Sequence, residues 1–395
     1  MSILRDLANR IREQRDAIAH LTADLIRVPT ENPPGRQYAA AVDVLVSALV
    51  GLGLPAERVP LGRELEAVTC AVGKGPTLYF HGHYDVVPAT AEGQFDPHVR
   101  DGRIWGRGSA DMKGALSSMI HALAALRGTG HGTRVELVLV PGEETGGSDG
   151  MARLSEAGFI DDGAVGAVLG EPTSGVIWNG SRGALTGRVR VRGRSAHVGL
   201  HYEGANAFEA AVPILNGLLT LKAEVAGRVT ALSIEPESAR QSILMLGGEV
   251  RGGHQFNLVP DGFEFSVERR FNPEEDMEAE RSRLEEVVRT SAPPGVSADL
   301  EIFQEAPASS VSASDPLVVG LADAIAGVTG ARPPVELCPG LLESRFYASR
   351  GVPAVAYGPG ELEVSHGPEE SVELDRLVEC AVIYAHLAHA WGGEG

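Results

Sequence analysis

The feature that most constrains the fold is an alternation of short apolar runs with helical segments, which is interrupted once in mid-chain. Apolar runs at 78–81, 135–140 and 164–169 predict strands, and a further one follows at 352–357. Apolar residues at helical spacing predict helices over 3–27, 38–52, 112–126, 151–157, 316–327 and 372–389. Strands that alternate with helices indicate a sheet covered by helices. The two outer parts of the sequence therefore predict one α/β domain.

The interruption has its own pattern. Residues 185–192 alternate strictly between apolar and polar types, as in a half-exposed strand. They are followed by a predicted helix at 205–221, strands at 242–250 and 263–268, a helix at 273–289 and a strand at 298–303. The order β-α-β-β-α-β is that of a ferredoxin-like domain. We therefore predict a larger domain of residues 1–182 and 307–395, with a mixed sheet between helices, and an inserted α+β domain of residues 183–306.

Composition excludes several classes of protein. The chain has 395 residues, 34 Lys and Arg against 53 Asp and Glu, and a net charge of −19. Such an acidic surface repels phosphate backbones, so we expect no nucleic-acid partner. No apolar run approaches the roughly 18 residues of a membrane-spanning helix, and the amphipathic start lacks the apolar core of a signal peptide. Three scattered cysteines fit a reducing compartment, so we expect a cytoplasmic protein that does not bind membranes.

Histidine and acidic residues occur where predicted strands end, beside Gly or Pro. His83 and Asp85 follow the strand at 78–81. The others are Asp111 in the turn GRGSADMKG, Glu143 and Glu144 in PGEETGG, Glu171 in LGEPT and His366 in SHGPEE. In open α/β sheets, ligands bind at the carboxyl ends of the strands. Asp85 shares a strand face with His83, so it is expected to hydrogen-bond the imidazole and leave the other ring nitrogen available to a metal.

Each of these residues alone has a structural explanation. Asp111 fits a helix cap, the pair Glu143–Glu144 fits a solvated surface, and a loop histidine such as His366 is more often solvated than bound to a metal. Together they supply two imidazoles and three carboxylates, besides one carboxylate free to act as a base. Mixed nitrogen and oxygen ligands suit zinc, and cobalt or manganese can substitute. Five ligands exceed the need of one tetrahedral ion, so we expect a pair of metals bridged by a carboxylate.

The five motifs GHYDVVP, GRGSADMKG, PGEETGG, LGEPT and SHGPEE, in this order, resemble the zinc metallopeptidase and aminoacylase family. That family includes acetylornithine deacetylase, succinyl-diaminopimelate desuccinylase and carboxypeptidase G. The resemblance covers nearly the whole chain, and it implies that the inserted domain is a lid and dimerisation domain. It also implies a homodimer, two zinc ions per subunit and a peptide bond after the bridging aspartate that is often cis.

The resemblance further assigns roles within the larger domain. Asp111 would bridge the two metals; His83 and Glu171 would complete the first, and Glu144 and His366 the second. Glu143 would be the general base, and Asp85 would orient His83. His81, which shares a strand face with His83, falls outside the ligand set that the resemblance implies. A glutamate at position 171 is associated in the family with deacylases and carboxypeptidases.

The inserted domain carries a second group of motifs that resemble the family. His197, in RSAHVG, would hold the scissile carbonyl oxygen, commonly from the partner subunit. Asn257 and Arg270 resemble substrate-binding residues, and a guanidinium binds a carboxylate in a bidentate manner. The structural alternative for Arg270 is an ion pair with Glu268 or Glu264. Arg345 is assigned to substrate as well.

Two positions depart from the family pattern. Glu268 stands two residues before Arg270, where relatives usually have Asp, and Glu343 replaces the Asp of the Ser-Asp-Ala-Arg segment typical of a desuccinylase. Both departures weaken an assignment to that particular enzyme.

The expected activity is hydrolysis of an amide bond in a small molecule. Glu143 would take a proton from the attacking water and pass it to the leaving amine. The preferred substrate is an N-acyl amino acid. A carboxypeptidase or dipeptidase acting on short peptides is the alternative within the family. A relative without metal, binding amino-acid derivatives only, is disfavoured because every ligand and the base are present.

Overall fold

The computed structural model describes residues 2–391. Its helices are α1 (Ser2–Arg12), α2 (Arg15–Ile26), α3 (Tyr38–Gly51), α4 (Gly114–Leu126), α5 (Asp149–Glu156), α6 (Ala207–Ala226), α7 (Met277–Ser291), α8 (Pro316–Thr329), α9 (Ser344–Ala348) and α10 (Leu374–Trp391). Its first eight strands are β1 (Ala56–Gly62), β2 (Leu65–Val72), β3 (Thr77–His83), β4 (His98–Arg100), β5 (Arg103–Trp105), β6 (Arg134–Val140), β7 (Gly166–Leu169) and β8 (Ile177–Ser181). The others are β9 (Gly183–Arg192), β10 (Ile243–Gly252), β11 (Gly262–Phe271), β12 (Ser297–Ala306), β13 (Ser309–Ser310), β14 (Val335–Cys338), β15 (Ala354–Ala356) and β16 (Ser371–Glu373).

The chain divides into two units. The first comprises residues 1–180, 310–336 and 342–395, and the second comprises residues 181–309 and 337–341. Each has its own buried apolar core. Within the described residues, no helix is long and apolar enough to cross a membrane. The predicted boundaries of 1–182, 183–306 and 307–395 stay a prediction.

A mixed sheet with strand order β1-β2-β6-β3-β7-β15-β8-β13 runs through the first unit. Its centre is parallel: β3 pairs in parallel with both β6 and β7, and β15 pairs in parallel with β7. Every residue of β3 is buried. A strand buried on both faces needs an almost continuous apolar run, which explains why this part of the sheet was visible in the sequence.

The second unit contains a four-stranded antiparallel sheet of order β10-β11-β9-β12. Helices α6 and α7 pack on one of its faces through apolar residues such as Ile214, Leu218 and Leu284. Along β9, buried and half-buried residues alternate, because the other face of the sheet carries arginine side chains. The element order and strand order are those of the predicted ferredoxin-like arrangement.

Some local predictions were wrong in their limits. The helix predicted over 3–27 is two helices, because the polar run 12–16 offers no apolar side chain to the core. The helix predicted from 112 begins at Gly114, and 109–113 form a wide turn instead. The hairpin of β1 and β2 was missed, because β1 is mostly polar and exposed rather than an apolar run.

Candidate metal centre

Three parallel strands bring the predicted residues to one edge of the sheet. His83 is the last residue of β3 and lies opposite Val140, the last residue of β6. Glu143 and Glu144 follow β6 after a short turn, and Glu171 follows β7. Because the carboxyl ends of parallel strands meet at the same edge, side chains that are distant in sequence converge there. This edge is the candidate site.

Asp111 reaches the same edge from the glycine-rich turn before α4. Gly108 adopts a φ of +85°, a conformation that favours glycine. The peptide bond between Asp111 and Met112 is cis, as the family resemblance implied. The Lys113 ammonium, fully buried, donates to the carbonyl oxygens of Leu25 and Val28 at 2.9 and 2.8 Å, which ties the turn to the end of α2.

The two oxygens of the Asp111 carboxylate face different histidines. The His83 Nε2 atom lies 3.3 Å from Asp111 Oδ1, and the His366 Nε2 atom lies 3.1 Å from Asp111 Oδ2. His366 Nε2 is also 3.2 Å from Glu144 Oε2. Ligand atoms of His83, Asp111 and Glu144 lie within 4.8 Å of one another. The carboxylate of Asp111 therefore lies between the imidazoles of His83 and His366.

Asp85 is buried and contacts several residues of the candidate site. Its carboxylate accepts hydrogen bonds from Asn32 Nδ2 at 2.8 Å and from the backbone N–H groups of Glu143 and Glu144 at 3.3 and 3.1 Å. The His83 Nδ1 atom lies 3.0 Å from the Asp85 carbonyl oxygen and 3.5 Å from its carboxylate. The residue expected to orient His83 thus contacts it, with the nearer contact made by the main chain.

The cluster carries more negative charge than its own histidines balance. Burial raises the pKa of Glu171 to about 8, and the carboxylates of Asp111, Glu343 and Glu144 add to the effect. Burial likewise raises the pKa of Glu143 well above its usual range, helped by Glu171 and Glu144. Hydrogen bonds to Asp111 and Glu144 raise the pKa of His366 to about 10. Buried like charges require a cation to be stable in ionised form.

The donor set fits divalent metal ions. Two imidazoles and three carboxylates converge, and Oδ1 of Asp111 is buried without a hydrogen-bond partner among the described residues. A buried charged oxygen is costly unless it is paired or coordinates a metal. The division of these residues between two ions stays a prediction. The Glu143 carboxylate makes no hydrogen bond within residues 2–391.

The predicted substrate residues of the second unit fall into two places. His197 is exposed, and its Nδ1 atom accepts a hydrogen bond from the Gly199 N–H at 3.1 Å. The Val198 N–H donates to the Asn257 carbonyl oxygen at 2.9 Å, so His197 and Asn257 lie on adjoining segments. Arg270, on β11, forms an ion pair with Glu268, which is the structural alternative left open from the sequence.

Arg345 is 5% exposed, and its guanidinium bonds to protein groups. It donates to the Leu342 carbonyl at 2.8 Å, to the Gly146 carbonyl at 3.3 Å and to the Ser148 hydroxyl at 2.8 Å. These contacts hold the turn that follows Glu143 and Glu144. A substrate contact by Arg345 stays a prediction.

Sequence reasoning gave no role to two buried groups beside the site. Glu343 bonds the His81 Nε2 atom at 2.5 Å, and the Tyr347 hydroxyl lies 3.1 Å from the other ring nitrogen of His81. Arg107 and Glu370 form a buried ion pair at 2.6 Å. Position 343 was noticed only as a departure from the family pattern, and position 370 only as the end of SHGPEE. The buried pairings of these residues have no local sequence signal, because their partners are distant in the chain.

The chain is an α/β protein with an inserted ferredoxin-like unit, and its cluster of His, Asp and Glu is a candidate metal site. The model of peptidase family M20/M25/M40 matches residues 79–390, and the chain belongs to that family. It is therefore a hydrolase that acts on amide or peptide bonds. The predicted fold class, a larger α/β domain with an inserted α+β domain, is confirmed. Members of this family depend on metal and typically bind two ions.

Two curated relatives resemble the chain over almost its full length. A succinyl-diaminopimelate desuccinylase of Granulibacter bethesdensis is 30% identical over 395 residues, which covers 95% of this chain and 98% of the relative. One of Acidiphilium cryptum is 28% identical over 379 residues, covering 93% and 96%.

Solved structures share the fold at low sequence identity. The M20 family metallo-carboxypeptidase Sso-CP2 from Sulfolobus solfataricus has a TM-score of 0.78 at 15% identity and covers 95% of this chain and 99% of its own. The Bacillus subtilis YXEP protein, described as a dinuclear metal-binding peptidase, has a TM-score of 0.72 at 16% identity and covers 96% and 99%. These likenesses concern the fold.

Proposed function

We propose that this protein is a di-zinc amidohydrolase that releases an amino acid from its N-acyl derivative. The observation that carries the proposal is the Asp111 carboxylate, whose two oxygens face His83 on one side and His366 on the other. A carboxylate in that position is suited to bridging two ions. His83 and Glu171 complete one set of ligands, and Glu144 and His366 complete the other.

Two bound ions would polarise the scissile carbonyl and make an attacking water more acidic. Zinc suits the mixed nitrogen and oxygen donors, and cobalt or manganese would substitute. Asp85 contacts the His83 ring through its main-chain carbonyl oxygen and the backbone of Glu143 and Glu144 through its carboxylate, so one buried residue holds both ligands and base.

Glu143 is the general base in this proposal. Its side chain is half-buried, and it follows β6, whose neighbour β3 ends at His83. It would accept a proton from water and return it to the nitrogen of the leaving amine, as microscopic reversibility requires.

His197, Asn257 and Arg270 would bind the substrate. An imidazole donor directed at the developing oxyanion is typically worth about 2.7–4 kcal/mol of the barrier, as for other oxyanion donors. His197 is exposed and its Nδ1 is occupied, which leaves Nε2 as the donor. Arg270 would have to exchange its ion pair with Glu268 for the substrate carboxylate. Arg345 would contribute to substrate binding indirectly, by holding the turn that contains Gly146 and Ser148.

The preferred substrate class is an N-acyl amino acid, because the curated relatives are named for removing a succinyl group from an amino acid. A carboxypeptidase or dipeptidase activity is the second candidate, because solved structures with this fold include a carboxypeptidase. Glu343 departs from the desuccinylase pattern, so the acyl group itself is open to test.

A homodimer through the inserted domain is part of the proposal. Helix α6 exposes Phe208, Val212 and Leu219 on one face, at 54, 48 and 52%. Strand β10 lies at the edge of its sheet and exposes Ile243 and Met245. Apolar side chains at an open strand edge are typical of an association surface. His197 would then act in the partner subunit's site. A cytoplasmic location stays a prediction.

A substrate panel tests the activity. Purified protein loaded with zinc or cobalt would be assayed on N-acetylornithine, N-succinyl-diaminopimelate, N-acetyl amino acids and dipeptides, with EDTA and Glu143→Gln as controls. Chelator-sensitive turnover of one acyl class supports the deacylase, and turnover of dipeptides alone supports the second candidate. Protein that binds no metal and turns over none of these compounds contradicts the proposal.

A further inference from the structure

A buried glutamate outside the proposed ligand set holds the Asp111 turn in place. Glu370 is 1% exposed, and its Oε1 atom accepts three backbone hydrogen bonds. The donors are the N–H groups of Gly108, Ala110 and Asp111, at 2.9, 3.0 and 3.1 Å. One carboxylate oxygen thus fixes the main chain that leads up to Asp111, and the N–H of Asp111 itself, the residue that faces the two histidines.

The other oxygen of Glu370 binds an arginine that reaches the His366 loop. The Arg107 Nη1 atom lies 2.6 Å from Glu370 Oε2, and the side chain is 1% exposed. The Arg107 guanidinium donates to the carbonyl oxygen of His366 at 3.1 Å and to that of Gly367 at 3.3 Å. It also donates to the Pro88 carbonyl at 3.3 Å. The ion pair therefore joins three segments that meet at the candidate metal centre.

The loop that bears His366 needs this support. His366 is about half exposed, with its side chain at 51%, and its φ of +64° is unusual for a residue other than glycine. His83, in contrast, belongs to a fully buried strand. Within the described residues, the hydrogen bond from the Arg107 guanidinium connects the His366 main chain to the turn of Asp111.

We propose that Arg107 and Glu370 are positioning residues that set the distance between Asp111 and His366, and hence the affinity of the ion on the His366 side. This inference rests on the proposed two-metal function. The ion bound by His83 and Glu171 depends less on the pair, because those two ligands follow buried strands. Partners that orient metal ligands typically contribute 10–100-fold to metal affinity.

The chemistry of the pair makes a sharp substitution possible. Glutamine at position 370 has the shape of glutamate, but one of its two polar atoms must be an N–H donor. In either orientation that donor faces another donor, either the Arg107 guanidinium or the three backbone N–H groups. Lysine at position 107 keeps the charge, but its single ammonium lacks the planar fork that reaches Glu370 and the loop carbonyls together.

The test is a cobalt titration followed by the visible absorption of the bound ion, on wild type, Glu370→Gln, Arg107→Lys and Glu361→Gln. His366→Ala identifies which binding step belongs to the His366 side. Glu361→Gln is the matched control. Glu361 lies in the same segment as His366 and forms a partly exposed ion pair with Arg103, which this substitution removes. Circular dichroism confirms that each variant is folded.

We expect Glu370→Gln and Arg107→Lys to weaken the His366-dependent step by about 10–100-fold and the other step by less, because Asp111 serves both ions. Glu361→Gln should change neither step. Equal weakening of both steps, or no change in either, overturns the inference. Wild-type protein that binds no pair of ions contradicts the proposed function instead.

Hydrogen exchange on the metal-free protein tests the positioning role independently of metal. Glu370→Gln should speed exchange both at 108–111 and in the segment around 366, whereas Arg107→Lys should speed it around 366 and spare 108–111. Exchange that changes in neither segment overturns the positioning role, even if metal binding is weakened.

Discussion

His83 and His366 face the same carboxylate and are held in opposite ways. His83 is 1% exposed and ends the central parallel strand β3, where its position is fixed by pairing with β6 and β7. His366 stands on a loop with its side chain half exposed, and contacts from Arg107 reach its main chain. One half of the candidate centre is therefore a product of sheet formation, and the other depends on a loop that a buried ion pair positions.

The difference indicates that the His83 side of the site is rigid and that the His366 side can adapt. Ligands on buried strands are placed by the same apolar packing that stabilises the domain. A ligand on a loop can move without breaking the sheet, so its affinity for metal is tuned by a few polar contacts. We therefore expect the two sides to respond differently to substitution.

The largest effect is expected from a residue that belongs to neither side. Glu143→Gln should lower the rate by about 10⁴-fold, the upper end of general-base contributions, while both ions remain bound. The measurement is kcat together with metal content by atomic absorption. A parallel loss of metal and activity would make Glu143 a ligand and would break the division into two sides.

An imidazole outside the centre sharpens the comparison. His197→Ala should lower kcat by about 10²–10³-fold with unchanged metal content, because it removes an oxyanion donor and no ligand. Mixing this variant with Glu143→Gln should restore part of the activity if subunits share a site. Absence of rescue, once subunit exchange has been demonstrated, would argue that His197 acts within its own chain.

The two histidines themselves give the direct test. His83→Ala should weaken metal binding by more than 100-fold and destabilise the fold, since a cavity opens in a buried strand end. His366→Ala should weaken one binding step and leave the thermal stability of the metal-free protein nearly unchanged. Isothermal titration with zinc, combined with thermal unfolding in EDTA, separates the two variants. Identical behaviour of both would remove the distinction drawn above.

The smallest effect is a dependence of stability on pH in the metal-free protein. The pKa of Glu171 is raised to about 8 from 4.5, so between these values the folded state holds a proton that the unfolded chain releases. The stability gained from that proton is lost as pH rises through the window. The raised pKa of His366, about 10 against 6.5, acts in the same direction at higher pH.

We therefore expect the Tm in EDTA to fall by several degrees between about pH 5 and about pH 8, and the zinc-loaded protein to show a flatter profile. Glu171→Gln should flatten the metal-free profile between these values. A Tm in EDTA that rises over the same range would contradict the assignment of a buried, proton-holding carboxylate.

The sequence was informative where the structure repeats or buries apolar residues. The strands β3, β6 and β7 are short apolar runs, so the convergence of His83, Glu144 and Glu171 at one sheet edge was predictable. The β-α-β-β-α-β order was equally visible, because β9 alternates between its two faces. The mostly polar strand β1 gave no such signal.

The polar supports of the site could not be predicted in the same way. Contacts such as Arg107 with Glu370, or His81 with Glu343, join residues separated by more than 250 positions. Such pairings depend on the complete fold and leave no periodic trace. The main-chain contact between Asp85 and His83 could not be predicted either, because the types of the two side chains indicate a bond to the Asp85 carboxylate instead.

The strand pairing within the inserted unit bears on the entropic cost of the insertion. Ala184 on β9 lies directly opposite Ala306 on the antiparallel strand β12. The segment 184–306 thus begins and ends about 5 Å apart, the spacing of neighbouring strands. The two ends of this segment of more than a hundred residues are therefore as close as the two ends of a hairpin loop. The entropic cost of ordering this segment is offset within a unit that has its own core. An engineered version in which a short turn joins 184 to 306 would therefore keep the larger sheet continuous.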